Sequence, residues 1–308
     1  MKPLFELLDD YQVHRQARGY SPETLYKGRR NLLGFLRWLA TVHQVTTSGE
    51  LGPRHLEAWQ KRLHGYRTGR GLPFKPLSIN KLIESVRGFL KFLTARGHVP
   101  GVLNGVLCSV KKPILLPTSV LTHAQVRKLL AHIPTSDPQG YRDRTLLELL
   151  YSTGIRRKEA LQLKLTDIDF GHATALVMGK GSKQRVVPVG RTAMRHLETY
   201  VKAVRPFLQR EASDQDLFLD RTGKVLTGPA LRVRLLRYAA SLDVPFAVTP
   251  HTFRRSCATE LIRGGANLYH VKDLLGHEDL DTLKHYVKLT IADLKKTHEK
   301  CHPRERDE

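Results

Sequence analysis

Arg156, Lys180, His251, Arg254, His277 and Tyr286 are residue types that suit chemistry on a phosphate. Gly154 ends the apolar run Leu146 to Tyr151, and Arg156 stands just past it, beside a second helix start. An arginine placed there can reach an anion through two parallel N–H bonds. Lys180 and Lys183 occupy the glycine-containing turn Gly179-Lys180-Gly181-Ser182-Lys183 between two β-prone runs. Such a lysine can enter a groove, or give up a proton where its pKa is lowered. The turn is not a P-loop, since neither the GxxxxGK[ST] spacing nor a following helix is present. His251 and Arg254 are three residues apart and share a helix face just after Thr249-Pro250, so they suit a phosphate clamp with a proton carrier. His277 follows Leu274-Leu275-Gly276, and Tyr286 comes nine residues later. Taken singly, each has a plainer reading: an exposed basic turn, a capping histidine, a tyrosine on an amphipathic helix. The ordered set is what separates the two.

Those side chains need elements to hold them. Leu4, Leu7, Leu8 and Tyr11 recur at helical spacing, and Ser21-Pro22 is a strong helix start before the stripe Leu25, Leu32, Phe35, Leu36 and Leu39. A weaker helix lies around His55 to Leu63, and Ser78 is expected to open another that Gly97 closes. Between them Tyr66 to Gly71 is a basic loop whose Arg67 and Arg70 are either phosphate contacts or part of an exposed connector. From Pro100 to Val120, Pro, Gly and Lys occur without periodicity. This places a helical domain over 1–110, a linker over 111–118 and a larger domain over 119–308. In the larger domain Thr122 is an N-cap, and further helices are expected over 141–151, 192–203, 228–241, 251–263, 268–275, 280–288 and 291–300. Residues 173–189 read as a hairpin. The expected fold class is therefore mainly α with one small antiparallel β-sheet.

Composition narrows the partner. The 308 residues carry 51 Lys and Arg against 29 Asp and Glu, a formal charge of +22, and 41% are hydrophobic. Residues 1–113 alone hold 19 basic and 7 acidic side chains, so the surplus is densest at the N-terminus. A charge that large repels itself unless it meets a polyanion, and nucleic acid is the leading candidate. No run of 18 apolar residues occurs, and the opening MKPLFELLDDYQ turns acidic before an apolar stretch forms. Neither a membrane span nor a secretory leader is expected, which points to a cytoplasmic, nucleoid-associated protein. Cys108, Cys257 and Cys301 form no CxxC pair and read as ordinary reduced thiols.

Four stretches carry a resemblance: YSTGIRRKEALQLKLTDID, VMGKGSKQRVVPVG, TPHTFRRSCATELIRGGANLYHVKDLLGH and the segment around Tyr286. Their order and spacing resemble those of the tyrosine recombinases of the λ-integrase type, and most of all the Xer-like bacterial members. The resemblance implies a SAM-like core-binding domain ahead of a catalytic domain. It implies site-specific cutting and rejoining of DNA through a 3′-phosphotyrosine. By position Arg156 and Arg254 are the catalytic arginines, Lys180 the hairpin lysine, His251 the first residue of the His-x-x-Arg box, His277 the residue at the His/Trp position and Tyr286 the nucleophile. Glu159 and Asp167 match acids that support the site. The family's usual His-x-x-Arg-His box ends here in Arg255, which is free for a phosphate or partner contact. No metal or other cofactor is implied. The expected partners are a double-stranded recombination site and sister subunits, as a homotetramer or a heterotetramer with a related recombinase, with room for accessory proteins. Rival readings are a type IB topoisomerase-like relaxer, a DNA-binding regulator on a recombinase scaffold, and a metal-dependent nuclease.

Overall fold

The computed structural model describes residues 2–69, 71–111, 119–179, 183–210 and 215–276. The helices expected over 280–288 and 291–300 lie outside the described residues. The chain divides into two compact units, Met1–Ile114 and Leu115–Glu308.

The first unit is built from α1 (Leu4–Ala17), α2 (Pro22–Val42), α3 (Pro53–Gly65) and α4 (Pro76–Ala95). Ser21 caps α2, its hydroxyl accepting from the Thr24 amide at 3.4 Å, and Pro22 takes the first helical position. Helix α4 begins two residues before Ser78, because Pro76 has its φ already set for a helix start. Phe35, Leu36 and Leu39 of α2 are buried together with Ile83, Phe89, Leu90 and Leu93 of α4. Side chains of this size contribute roughly 1.5–3 kcal/mol each when fully buried, more than helix propensity supplies. Tyr11 lies so close to α4 that a Cβ at Gly88 would fall 2.7 Å from its hydroxyl.

Part of the aperiodic stretch after Pro100 belongs to this unit. A 3-10 turn spans Gly101–Gly105, and Leu103 and Leu107 are buried. The Asn80 amide group donates to the Val110 carbonyl at 2.9 Å and accepts from the Val110 amide at 2.7 Å. Gln60 accepts from the Cys108 amide at 2.8 Å, and Arg87 donates to the Leu107 carbonyl. Polar side chains thus do here what periodic apolar residues do elsewhere.

The second unit contains α5 (His123–Ala131), α6 (Pro138–Thr153), α7 (Arg157–Leu161), β1 (Ile168–Asp169), β2 (Thr174–Met178), β3 (Gln184–Pro188), α8 (Arg191–Thr199), α9 (Arg205–Leu208), α10 (Gly228–Ala239), α11 (Pro250–Arg263) and α12 (Leu268–Leu275). It is mainly helical with one small antiparallel sheet, ordered β1-β2-β3. The hairpin read from the sequence is β2 and β3, with Ala175 opposite Val187 and Val177 opposite Arg185. Strand β1 adds a two-residue edge too short to leave an alternating pattern. A π-helical turn over Tyr200–Val204 joins α8 to α9. Pro206 lacks the N–H that an unbroken ladder needs, so the expected helix over 192–203 widens before it.

Helix α6 meets the core mainly through Leu146, Leu147, Leu149 and Leu150, all buried. The exception is ionic. Asp143, fully buried, accepts from Arg142 at 2.7 Å, from the Tyr238 hydroxyl at 2.8 Å and from Arg234. This network ties α6 to α10, while Ser256 of α11 accepts from the Leu121 amide at 2.8 Å where the second unit begins.

Candidate active site

Arg156 is placed by the way α6 ends. Gly154 closes the helix in the left-handed region at φ +64°, and the fully buried Ile155 turns the chain inward. Arg156 is then the N-cap of α7. Glu159, in the first turn of α7, reaches back and accepts from the Arg156 amide and from its guanidinium Nη1, both at 2.8 Å. The guanidinium Nη2 donates to the Gly276 carbonyl at 2.9 Å, while 44% of the Arg156 side chain stays exposed.

Helix α11 brings the second arginine to the same place. Thr249 caps it, accepting from the Thr252 amide at 3.3 Å. Arg254, one turn in, is buried and donates to the Gly154 carbonyl at 2.7 Å and to the Leu275 carbonyl at 2.8 Å. His251, on the same helix face, stays at the surface. Arg156, Arg157, Lys158, His251 and Arg254 line one cleft of about 460 Å³ at the N-terminal end of α11. Protein atoms crowding the imidazole, and then the like charges of Arg255, Arg254 and Arg156, hold the His251 pKa below its ordinary value. A neutral histidine can accept a proton, and the guanidiniums beside it favour an anion.

A third arginine joins them that the motif order did not single out. Arg185 of β3 donates to Glu159 Oε2 at 2.8 Å and Oε1 at 3.3 Å, and its Nε donates to the Leu274 carbonyl at 3.3 Å. Arg185, Arg254 and Arg156 therefore take the successive carbonyls of Leu274, Leu275 and Gly276, the C-terminal turn of α12. Those carbonyls have no partner inside the helix and carry the negative end of its dipole. Burial raises the Glu159 pKa, but hydrogen bonds from Arg185 and from the Arg156 amide and guanidinium outweigh it, and the carboxylate titrates below its usual range. The clue in the sequence is alternation: in Gln184-Arg185-Val186-Val187, the arginine shares the inward face with the buried Val187.

The remaining expected residues are spread more widely. Lys183 is exposed at the start of the strand segment, its carbonyl accepting from the Gly179 amide at 2.8 Å. Arg255 donates to the Ser119 hydroxyl at 2.7 Å, so its guanidinium braces the start of the second unit. The Asp167 carboxylate caps its own turn, accepting from the Lys164 amide at 2.8 Å. Arg67 belongs to the first unit, exposed and bridged in backbone to Pro73. Lys180, His277, Tyr286 and Arg70 lie outside the described residues. Burial pushes the Cys257 thiol up to about 12, so it stays protonated. Among the described residues no group of three His, Cys, Asp or Glu is placed to hold a metal ion, and no helix is long and apolar enough to cross a membrane.

The model of the phage integrase family matches residues 119–292. Tyrosine recombinase XerD of Lacticaseibacillus casei is 31% identical over 287 residues, covering 93% of this chain and 94% of that protein. XerD of Listeria innocua is 32% identical over 302 residues, covering 97% and 99%. Among solved structures, the Tn1549 transposon integrase in complex with circular intermediate DNA superposes with a TM-score of 0.70 at 20% identity, over 97% of this chain and all of that one, and shares the fold. Over half of the chain matches the family model, and identity above 30% extends along nearly all of it. The cleft between α7 and α11 thus lies in a tyrosine-type site-specific DNA recombinase, and the chain belongs to the phage integrase family.

Proposed function

We propose that this recombinase cuts and rejoins duplex DNA through a 3′-phosphotyrosine on Tyr286, with the scissile phosphate held in the cleft of Arg156, His251 and Arg254. The convergence of those three side chains on one basic cleft carries the reading. A phosphodiester under attack becomes a crowded, doubly charged pentacoordinate phosphorus. Guanidinium N–H groups aimed at its nonbridging oxygens stabilise it more than they stabilise the ground state. The Tyr286 oxygen forms the new P–O bond and passes its proton to His251 as the bond to the 5′ oxygen breaks. A phenol of pKa about 10 needs such a base at neutral pH. The 5′ alkoxide is the poorer leaving group and takes a proton from Lys180, while His277 donates a further hydrogen bond. Bond energy stays in the phosphotyrosine, so a 5′ hydroxyl from another strand reseals the backbone by the reverse path without a cofactor.

A duplex partner is supported by the charge of +22 and by relatives such as the Tn1549 integrase, held on circular intermediate DNA. On this reading residues 1–110 are a core-binding domain, 111–118 a linker and 119–308 the catalytic domain, and the protein works in the cytoplasm on the cell's DNA. Paired strand exchange between two duplexes calls for a tetramer, either of this chain or with a related recombinase. The deciding experiment incubates the protein in EDTA with nicked duplexes spanning candidate sites and looks for an SDS-resistant protein–DNA adduct. An adduct lost in Tyr286→Phe is the expected result. An adduct that survives Tyr286→Phe overturns the nucleophile. Tight, salt-sensitive binding with no adduct on any site shifts the reading to a regulator or to a recombinase that needs its partner.

A further inference from the structure

Arg185 stands where the elements of the site meet. Its guanidinium shares Glu159 with Arg156. It lies flat beneath Gly276, where a Cβ would fall 2.9 Å from its Cζ, and a Cβ at Gly179 would fall 3.4 Å from its Nη1. Gly179 precedes Lys180 in the chain, and Gly276 precedes His277. One half-buried side chain on β3 thus bonds the residue that orients Arg156 and lies against both glycines that lead into the next two expected catalytic positions.

From this juxtaposition we infer that Arg185 is a positioning residue for strand cleavage, holding Glu159, the hairpin and the α12 terminus in one register and sharing the Glu159 charge so that less of the Arg156 charge is offset toward the phosphate. The inference rests on the reading of the site given above. Charge balance is what makes it more than a structural tie. Glu159 carries one negative charge and faces two guanidiniums, so the trio keeps a net positive charge toward the cleft. Without Arg185 the carboxylate pairs with Arg156 alone, and the charge offered to the transition state falls.

The test compares wild type, Arg185→Met, Arg185→Lys and Glu159→Gln, with the Arg185→Met/Glu159→Gln double variant, in single-turnover adduct formation and in duplex binding. Arg185→Met is expected to slow cleavage by about 10²-fold while its duplex Kd stays within about threefold of wild type. Arg185→Lys restores the charge without the two-oxygen fork, and is expected to recover about tenfold of that loss. In the double variant the charge that Arg185 offsets is gone, so adding Arg185→Met to Glu159→Gln costs no more than about threefold. A rate for Arg185→Met within about threefold of wild type overturns the inference, as do losses that multiply undiminished in the double variant. If Arg185→Met and Arg185→Lys both fail to fold, Arg185 is a structural tie and the inference also falls. A wild-type protein that gives no Tyr286-dependent adduct fails differently, because it removes the reading of the site itself.

Discussion

Replacing Gly154 with alanine tests how α6 delivers both arginines. Gly154 sits at φ +64°, where a side chain costs about 1–2 kcal/mol. A Cβ there falls 2.5 Å from Leu275 Cδ2 and 3.3 Å from Cys257 Sγ. Leu275 is itself fully buried, so it has no open space to yield into, and overpacking of this kind costs roughly 1–3 kcal/mol. Together these give about 2–5 kcal/mol, a large fraction of the roughly 5–15 kcal/mol that holds a domain folded. The Gly154 carbonyl also accepts from Arg254 at 2.7 Å, so the shift needed to relieve the clash moves the proposed phosphate donor. A displacement of about 1 Å at such a group costs on the order of 10² in rate.

Urea unfolding separates this effect from a general loss of structure, because the chain's two tryptophans, Trp38 and Trp59, lie in the core of the first unit. Circular dichroism follows both units and tryptophan fluorescence follows the first. With a slope of about 2 kcal/mol/M, the transition of the second unit is expected to move down by about 1–2.5 M. In Gly154→Ala/Leu275→Ala the clash is gone, and the loss is expected to fall short of the summed single losses by about 1 kcal/mol or more. A shift smaller than about 0.3 M for Gly154→Ala would refute the reasoning, since neither the strain nor the overlap would then be felt.

Three further outcomes follow from contacts within the second unit. His251 is held below its ordinary value by crowding and by Arg255, Arg254 and Arg156, so its neutral form persists below pH 6.5. Cleavage at subsaturating DNA, which reports the free enzyme, is therefore expected to lose activity only below pH 6.5, with Arg255→Gln moving that acid limb upward; a limb above pH 6.5, or one that Arg255→Gln leaves in place, counts against His251 as the base. Linkage has the same sign: the unfolded chain binds the His251 proton first, so stability falls as pH drops from 6.5 toward the folded value, and His251→Gln flattens that fall in urea titrations. Asp143→Ala leaves Arg142, 1% exposed, and Arg234 without their shared carboxylate, and is expected to cost about 3–5 kcal/mol in the urea transition of the second unit. A cost under about 1 kcal/mol would show that water replaces the carboxylate there.

What was legible in the sequence is what short-range physics decides. Ser21, Thr122 and Thr249 each cap a helix through their own hydroxyls, a bond that depends only on residues within three positions. Helix α12 was read with both ends correct, between Asn267 and a glycine at φ +64°. The misses lie where a signal is very short or the partner is remote. Strand β1 has two residues, and the π turn before Pro206 leaves no apolar signature. The carboxylate of Asp143 finds Arg234 across 91 residues of chain. Arg156, His251 and Arg254 were legible through their order in the chain. Arg185 was not, because one strand arginine among 51 basic residues does not stand out until the face it points to is known.

The three arginines pose a problem whose solution explains the shape of the site. Guanidiniums gathered around the proposed phosphate position repel each other while it is empty, and in a chain of charge +22 the surroundings add to the strain. Among the described residues, counter-charge comes from two sources of different strength. Glu159 supplies one full negative charge, shared between Arg156 and Arg185. The C-terminal end of α12 supplies dipoles, the carbonyls of Leu274, Leu275 and the capping Gly276 each accepting from a different arginine. Dipoles satisfy N–H groups without cancelling the cationic charge, so the cluster is held together and stays positive toward the cleft. A second carboxylate in place of those carbonyls would assemble the arginines equally well and leave little to attract a phosphate.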